Sequence, residues 1–276
     1  MRAMIFAAGL GTRLKPLTDT KPKALVDVCG KTLLERQIED LQTAGFNEIV
    51  VNIHHFADMI RRYLAENYNF GADIYLSDES DELRDTGGGI RHAAALLDDG
   101  EPFLVHNVDI LSNVDLNDLY DYHMAHAISN DTPLATILVS KRKTARYFLF
   151  DKEGNLAGWM NEQSGEIKTP YKELAKTAMN YMRSKGNDNN EPIFNVEKFL
   201  TATNLYKYAF AGMHVMSPYV LRLMQMWPKR FSIVDFYLQN CDKFNIRAYV
   251  KDDLKLVDVG KLSALHEAEM FVKSKI

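Results

Sequence analysis

The sequence predicts an α/β fold of three layers, α/β/α, with a mostly parallel central sheet and an elaborated C-terminal half. Three observations carry this. Strand and helix patterns alternate through the first half of the chain, as they do where parallel strands are joined by helical crossovers. The first strand candidate, Ala3 to Ala8, is apolar at successive positions, which suits a strand covered on both faces. Glycine clusters and an aspartate follow strand candidates, so they are expected along one edge of the sheet, at the carboxyl ends where α/β sheets bind ligands.

The elements follow in order. After Ala3 to Ala8, Lys31 to Ala44 reads as a helix with Leu34, Ile38 and Leu41 on one face and Gly45 as its stop. Glu48 to Ile53 is a strand. His55 to Tyr68 is a helix with Phe56, Met59, Ile60, Tyr63 and Leu64 at helical spacing. Ala72 to Leu76 is a strand, Gly89 to Leu97 a helix, Pro102 to His106 a strand, Leu116 to Ala127 a helix and Leu134 to Ser140 a strand. The second half is less regular. Arg146 to Phe150 and Leu156 to Met160 form a hairpin around Asp151 to Asn155. Ser164 to Leu205 is polar and mixed, with a helix over Tyr171 to Arg183 and a loop over Gly186 to Pro192; it reads as an insertion. A strand over Tyr208 to Met216, helices over Pro218 to Trp227 and Ile233 to Gln239, a short strand over Leu254 to Val257 and a helix over Leu262 to Val272 complete the chain. With no repeat and no low-complexity linker, residues 1–276 read as one domain: a regular first half, 1–140, and an elaborated second half, 141–276, carrying the insertion at about 164–205.

Composition bounds the function. The 276 residues are 46% hydrophobic and 25% charged, ordinary globular usage. A net charge of −4 argues against nucleic acid as a partner. Cys29 and Cys241 lie far apart with no CxxC pattern, which suits two reduced thiols. Ala3 to Leu10 is short for a signal peptide and lacks its cleavage pattern. No segment approaches the ~18 apolar residues of a membrane span, so a soluble cytoplasmic protein is expected.

The first 25 residues hold the strongest signal. A buried strand breaks into Gly9-Leu10-Gly11-Thr12-Arg13, and Lys21-Pro22-Lys23 follows. Backbone N–H groups approach an anion closely where side chains are absent, and fixed cations neutralise what the amides cannot. A dinucleotide fingerprint would need glycine at position 14, where Leu14 stands; Gly30-Lys31-Thr32 lacks the first glycine of a P-loop, its place taken by Leu25. A second cluster, Asp85-Thr86-Gly87-Gly88-Gly89-Ile90, is either a tight turn or a place where a flat ligand meets bare backbone. Asn107-Val108-Asp109 and Val257-Asp258-Val259-Gly260 each put an aspartate just past a strand candidate, where a carboxylate is either a turn cap or a metal ligand. His54-His55 has no carboxylate spaced for zinc and is read as structural. The acidic run Asp78 to Glu82 is read as a solvated loop.

Together these motifs resemble the sugar-1-phosphate nucleotidyltransferases, also called nucleotide-sugar pyrophosphorylases, over roughly the whole chain outside Ser164 to Leu205. The family opens with a strand, a G-x-G-T/E-R turn and a P-K lysine, here Gly9, Gly11, Thr12, Arg13 and Lys23. Its metal element is similar to Asn107-Val108-Asp109, and its late V-D-V/I-G element to Val257-Asp258-Val259-Gly260. The Thr86 to Ile90 stretch is most similar to the subgroup that uridylylates N-acetylmuramic acid 1-phosphate; guanylyl-transferring relatives acting on mannose or heptose phosphates carry similar glycines. Two features depart from the pattern: Val108 replaces the usual glycine, and the insertion lies where relatives build the sugar pocket.

The resemblance implies a Rossmann-like nucleotide-diphospho-sugar transferase fold and transfer of a nucleoside monophosphate from an NTP, UTP being favoured, to a sugar 1-phosphate, in making cell-wall or polysaccharide precursors. It implies Mg²⁺ held by Asp109 and Asp258, and catalytic roles for Arg13, Lys23 and Asp109. Nucleotide contacts fall to Ala8, Gly9, Gly11, Thr12, Arg13, Lys23, Thr86, Gly88 and Asn107, and sugar contacts to Glu162 and Gly212. Gly88 is expected to let the base lie against backbone. Guanylyl transfer to mannose or heptose 1-phosphate, cytidylyl transfer to a phosphocholine-like acceptor, and a nucleotide-sensing module without chemistry are the alternatives. A homo-oligomer is left open.

Overall fold

The computed structural model describes residues 1–127, 132–181 and 194–275. Strand β1 (Arg2–Phe6) lies at the centre of the main sheet. A short hairpin, β2 (Asp27–Val28) and β3 (Lys31–Thr32), then leads into α1 (Leu33–Thr43). Helix α1 begins where Thr32 accepts the Glu35 N–H in its side chain, a cap that the expected start at Lys31 anticipates within two residues. Strand β4 (Glu48–Ile53), α2 (Ala57–Glu66) and β5 (Asp73–Asp78) follow, then α3 (Asp85–His92), α4 (Ala94–Leu97), β6 (Phe103–Asn107), β7 (Ile110–Ser112) and α5 (Leu116–Ala127). Strands β6, β1, β4 and β5 are adjacent and parallel, so their carboxyl ends share one edge, as expected.

The residues of β1 explain the unbroken apolar run: Ala3 and Ile5 join the core on one face, and Met4 joins the core on the other. The first core lies beneath α1, α2, α5 and the terminal helix α10 (Leu265–Lys275), the second beneath α3, α8 (Tyr219–Met224) and α9 (Ile233–Asn240).

The second half corrects one expectation. Strand β8 (Ala135–Ser140) does not extend the parallel series beside β6. The long strand β12 (Tyr206–Met216) inserts antiparallel between them, pairing with β6 and β8, and its first residues pair with β9 (Arg146–Phe150). The β9–β10 (Leu156–Asn161) hairpin forms around Asp151–Asn155 as expected, and β11 (Ile167–Lys168) adds to it. Strand β13 (Ile246–Val250), which the sequence pattern did not reveal, runs parallel to β8. Strand β14 (Leu256–Asp258) pairs with β7.

Within the insertion, α6 (Lys172–Tyr181) and α7 (Val196–Thr203) cover a third apolar cluster around Phe199 and Leu149. Arg183 and the loop expected at Gly186 to Pro192 fall outside the described residues. Among the described residues no helix is long and apolar enough to cross a membrane.

Candidate active site

Strand β1 ends at Phe6, and the chain turns at once. The side-chain oxygen of Asn52, on β4, accepts the N–H groups of Ala7 and Ala8 at 2.7 and 3.2 Å. The Ala8 amide is therefore engaged by protein. The N–H groups of Gly9, Leu10 and Gly11 donate to nothing among the described residues. Gly11 has φ +63°, and a Cβ there would stand 2.9 Å from Thr18 Cγ2, so the turn needs glycine. Thr18 closes it by donating to the Gly11 carbonyl at 2.8 Å. Gly9 differs: nothing in the protein lies within 4 Å of where its Cβ would be.

A cleft of about 390 Å³ opens over this turn. Its lining includes Ala8, Gly9, Lys23, Asn52, Thr86, Asn107, Val108, Asp109 and Arg230, drawn from the carboxyl ends of β1, β4 and β6 and the start of α3. Lys23, on a short helical turn after Pro22, forms an ion pair with Asp109 Oδ2. The Val259 N–H donates to the Asp109 carbonyl at 2.8 Å, and Asp258 pairs with Ile110 in the β14–β7 ribbon, which brings the second aspartate beside the first.

Asp258 as a residue is exposed, yet its carboxyl is withdrawn from solvent enough to titrate above the ordinary aspartate range. Desolvation is the first cause and the Asp109 charge the second, opposed by Lys23, Arg13 and Arg142. Gly260 makes room here: a Cβ there would lie 2.6 Å from Asp258 Oδ1 and 2.8 Å from Arg13 Nη2. Arg13, Lys23, Asp109 and Asp258, from separate stretches of sequence, thus converge, the first and last just beyond the cleft lining. Two carboxylates suit Mg²⁺, which takes one or two from protein and the rest from phosphate and water.

The glycine cluster departs from its expected role. Gly87, Gly88 and Gly89 lie inside α3, not in a turn before it. A Cβ at Gly87 would meet the Phe231 ring at 2.3 Å, and one at Gly88 the Lys229 carbonyl oxygen at 2.3 Å. The Gly87 and Gly88 N–H groups donate to the Phe231 carbonyl at 2.9 and 3.1 Å. The bare face of Gly88 is therefore filled by protein backbone and is not a surface for a base. Thr86 does line the cleft, while its hydroxyl oxygen accepts the Ile233 N–H at 2.9 Å. The acidic run is also corrected in part: Glu79 is fully buried, and His54, the structural histidine, bonds to its carbonyl at 2.6 Å.

The residues expected at the sugar are not in the cleft lining. Gly212 is buried at an irregularity in β12 with φ +79°, where its missing Cβ makes room for Asn107 Nδ2 at 2.9 Å. Glu162 lies at the end of β10 in an ion pair with Lys207 at 2.8 Å. Sequence reasoning missed Asn52, Thr18, Arg230 and Arg142. Arg142, whose Nη2 donates to the Phe210 carbonyl at 2.8 Å, sits in the basic run Lys141-Arg142-Lys143 after β8, which was a readable signal.

Residues 2–152 match the nucleotidyl transferase family model, and the chain belongs to that family. It is 47% identical over 109 residues to an N-acetylmuramate alpha-1-phosphate uridylyltransferase of Caulobacter vibrioides, covering 39% of this chain and 45% of that protein. It is 34% identical over 158 residues to a mannose-1-phosphate guanylyltransferase catalytic subunit beta of Danio rerio, covering 56% and 42%. The chain spans about half or less of the length of the curated relatives it matches. The structure of HddC from Yersinia pseudotuberculosis complexed with GMP-PN superposes with a TM-score of 0.67 at 20% identity, over 98% of this chain and 99% of that one. A UDP-glucose pyrophosphorylase complexed with UDP-glucose gives 0.66 at 16%, over 100% and 99%. These two share the fold.

Proposed function

We propose that this chain transfers a nucleoside monophosphate from an NTP to a sugar 1-phosphate, releasing pyrophosphate, with UTP the favoured donor. The observation that carries this is the convergence of Lys23, Asp109, Asp258 and Arg13 beside a turn whose amides at Gly9, Leu10 and Gly11 are free to bind phosphate. The likeness to uridylyltransferases at 47% and 45% identity supports UTP over GTP. Guanylyl transfer to mannose or heptose 1-phosphate is the alternative, supported by relatives at 34–38%.

In the reaction a sugar-phosphate oxygen forms a bond to the α-phosphorus of the NTP as the bond to the β-phosphate oxygen breaks. The attacking oxygen is already an anion at neutral pH, so no general base is required. The obstacle is charge, and catalysis is positioning plus electrostatic stabilisation. The amides of Gly9 to Gly11 hold the triphosphate. Lys23 reaches the α-phosphate or the incoming phosphate, Arg13 stabilises departing pyrophosphate, and Arg142 adds a further cation acting on Asp258. Mg²⁺ held by Asp109 and Asp258 would supply neutralisation of charge shared between the two phosphates.

The test is pyrophosphate release across four NTPs with N-acetylmuramate, mannose and heptose 1-phosphates and phosphocholine. Turnover with UTP and an amino-sugar acid phosphate is expected. Turnover only with GTP would reassign the donor. Saturable nucleotide binding with no release from any pair would mean a sensing module.

A further inference from the structure

The mechanism makes no use of Glu79, although it is a carboxylate with no exposed surface at the wall of the cleft. Its Oε1 accepts from Asn52 Nδ2 at 2.8 Å, and its Oε2 accepts the Arg84 N–H at 3.1 Å. Asn52 in turn accepts the Ala7 and Ala8 amides on its oxygen. The Glu79 backbone is itself fixed, its N–H donating to the Ile53 carbonyl at 2.8 Å. The third glycine of α3 leaves the space: a Cβ at Gly89 would stand 2.9 Å from Glu79 Oε1 and 3.2 Å from Asn52 Nδ2.

We infer that Glu79 is a positioning residue for the nucleotide turn, acting through Asn52 on the Ala7 and Ala8 amides. The inference rests on the transferase reading only for its kinetic consequence. A carboxylate is acceptor-only, and two N–H donors point at it. It can receive Asn52 only by the amide nitrogen, which turns the amide oxygen toward Ala7 and Ala8. That bends the chain out of β1 so that the next three amides are left for phosphate. A glutamine at 79 carries a donor of its own. It can set that donor against Asn52, flipping the amide, or against the Arg84 N–H.

The test is a reversal of polarity. E79Q and N52D each break the match between donor and acceptor. The double variant N52D/E79Q restores it, because an aspartate at 52 still accepts both amides and a glutamine at 79 donates to it. Amide exchange at Ala7 and Ala8 is measured in the ligand-free protein, alongside UTP and GTP affinity by calorimetry and the separate KM values for nucleotide and acceptor. Each single variant is expected to speed exchange at both amides and weaken nucleotide binding by roughly tenfold, leaving acceptor KM unchanged. The double variant is expected to recover both. G89A, which crowds the bond without altering either polar group, is expected to act in the same direction and covers failure of a single variant to fold. Wild-type exchange in E79Q, or a double variant as impaired as the singles, overturns the inference. Absence of UTP and GTP binding by the wild type would instead count against the transferase reading, and the exchange comparison would still decide the role of Glu79.

Discussion

Asp109 pairs with the ammonium of Lys23 and its charge acts on the carboxyl of Asp258, so its removal strips Lys23 of its counter-charge and leaves the proposed cation site one carboxylate. Asp109→Ala is expected to fold and to lose 10²–10³ in turnover, about 2.7–4 kcal/mol by comparison with deletion of an oxyanion donor. Near-wild-type pyrophosphate release would remove the residue from the mechanism. Gly260 is a quieter probe of the same place. In Gly260→Ala the atoms nearest the new methyl are the far ends of Asp258 and Arg13, which can swing aside. The melting temperature should hold while turnover drops roughly tenfold or more through misplaced groups. Equal losses of stability and activity would mean that Gly260 serves packing alone. The Asp-Val-Gly pattern was legible in the sequence. The reason for its glycine was not, because the space it leaves is claimed by an arginine far away in the chain.

At the scale of elements, two kinds of glycine separate. The turn after β1 was legible because its signals are local: a buried strand that breaks at Gly9 and Gly11, with cations close behind. The triple glycine reads from sequence as lying before the helix, as a tight turn or a bare surface for a flat ligand, because each glycine costs a helix interior about 1 kcal/mol relative to alanine. Tertiary packing overrides that cost, since only bare backbone lets α3 lie against Phe231 and Lys229. The contrast is testable. Gly88→Ala would drive a methyl into a carbonyl oxygen that cannot rotate away, and is expected to lose about 1–3 kcal/mol in denaturant unfolding. Gly9→Ala meets nothing in the protein and should unfold like the wild type while binding nucleotide more weakly. The reverse pattern would exchange the roles assigned to the two positions.

For the whole molecule, the parallel half of the sheet was legible from alternation, whereas the place of β12 was not. Which strand inserts where depends on pairings between distant segments, and nothing local in Tyr208 to Met216 distinguishes an internal antiparallel strand. A second whole-molecule property comes from three histidines. Burial depresses His106 and His123 to about 4 and His214, bonded to the Tyr237 hydroxyl, to about 3. In the unfolded chain each takes a proton near 6.5, so below that pH the unfolded state binds more protons and stability falls on acidification. The loss grows until the folded values are reached, on the order of 3 kcal/mol for His106 and for His123 and on the order of 5 kcal/mol for His214. Melting temperature should therefore decline between pH 6.5 and 5, above the range of ordinary carboxylates, and His214→Asn should flatten part of the decline. A flat profile in wild type would contradict neutral burial.

The insertion of β12 has a consequence for how the polypeptide can be divided. The strand comes from residues 206–216 yet fills the gap between two strands made before residue 141. A translation product stopped at residue 140 would hold β6 and β8 with no backbone partner between them, two raw borders ready to stick to other chains. Such a fragment should be insoluble or oligomeric by light scattering, and supplying residues 141–276 in trans should rescue it. The two halves are dovetailed, so neither is a module that could be lifted out and reused alone.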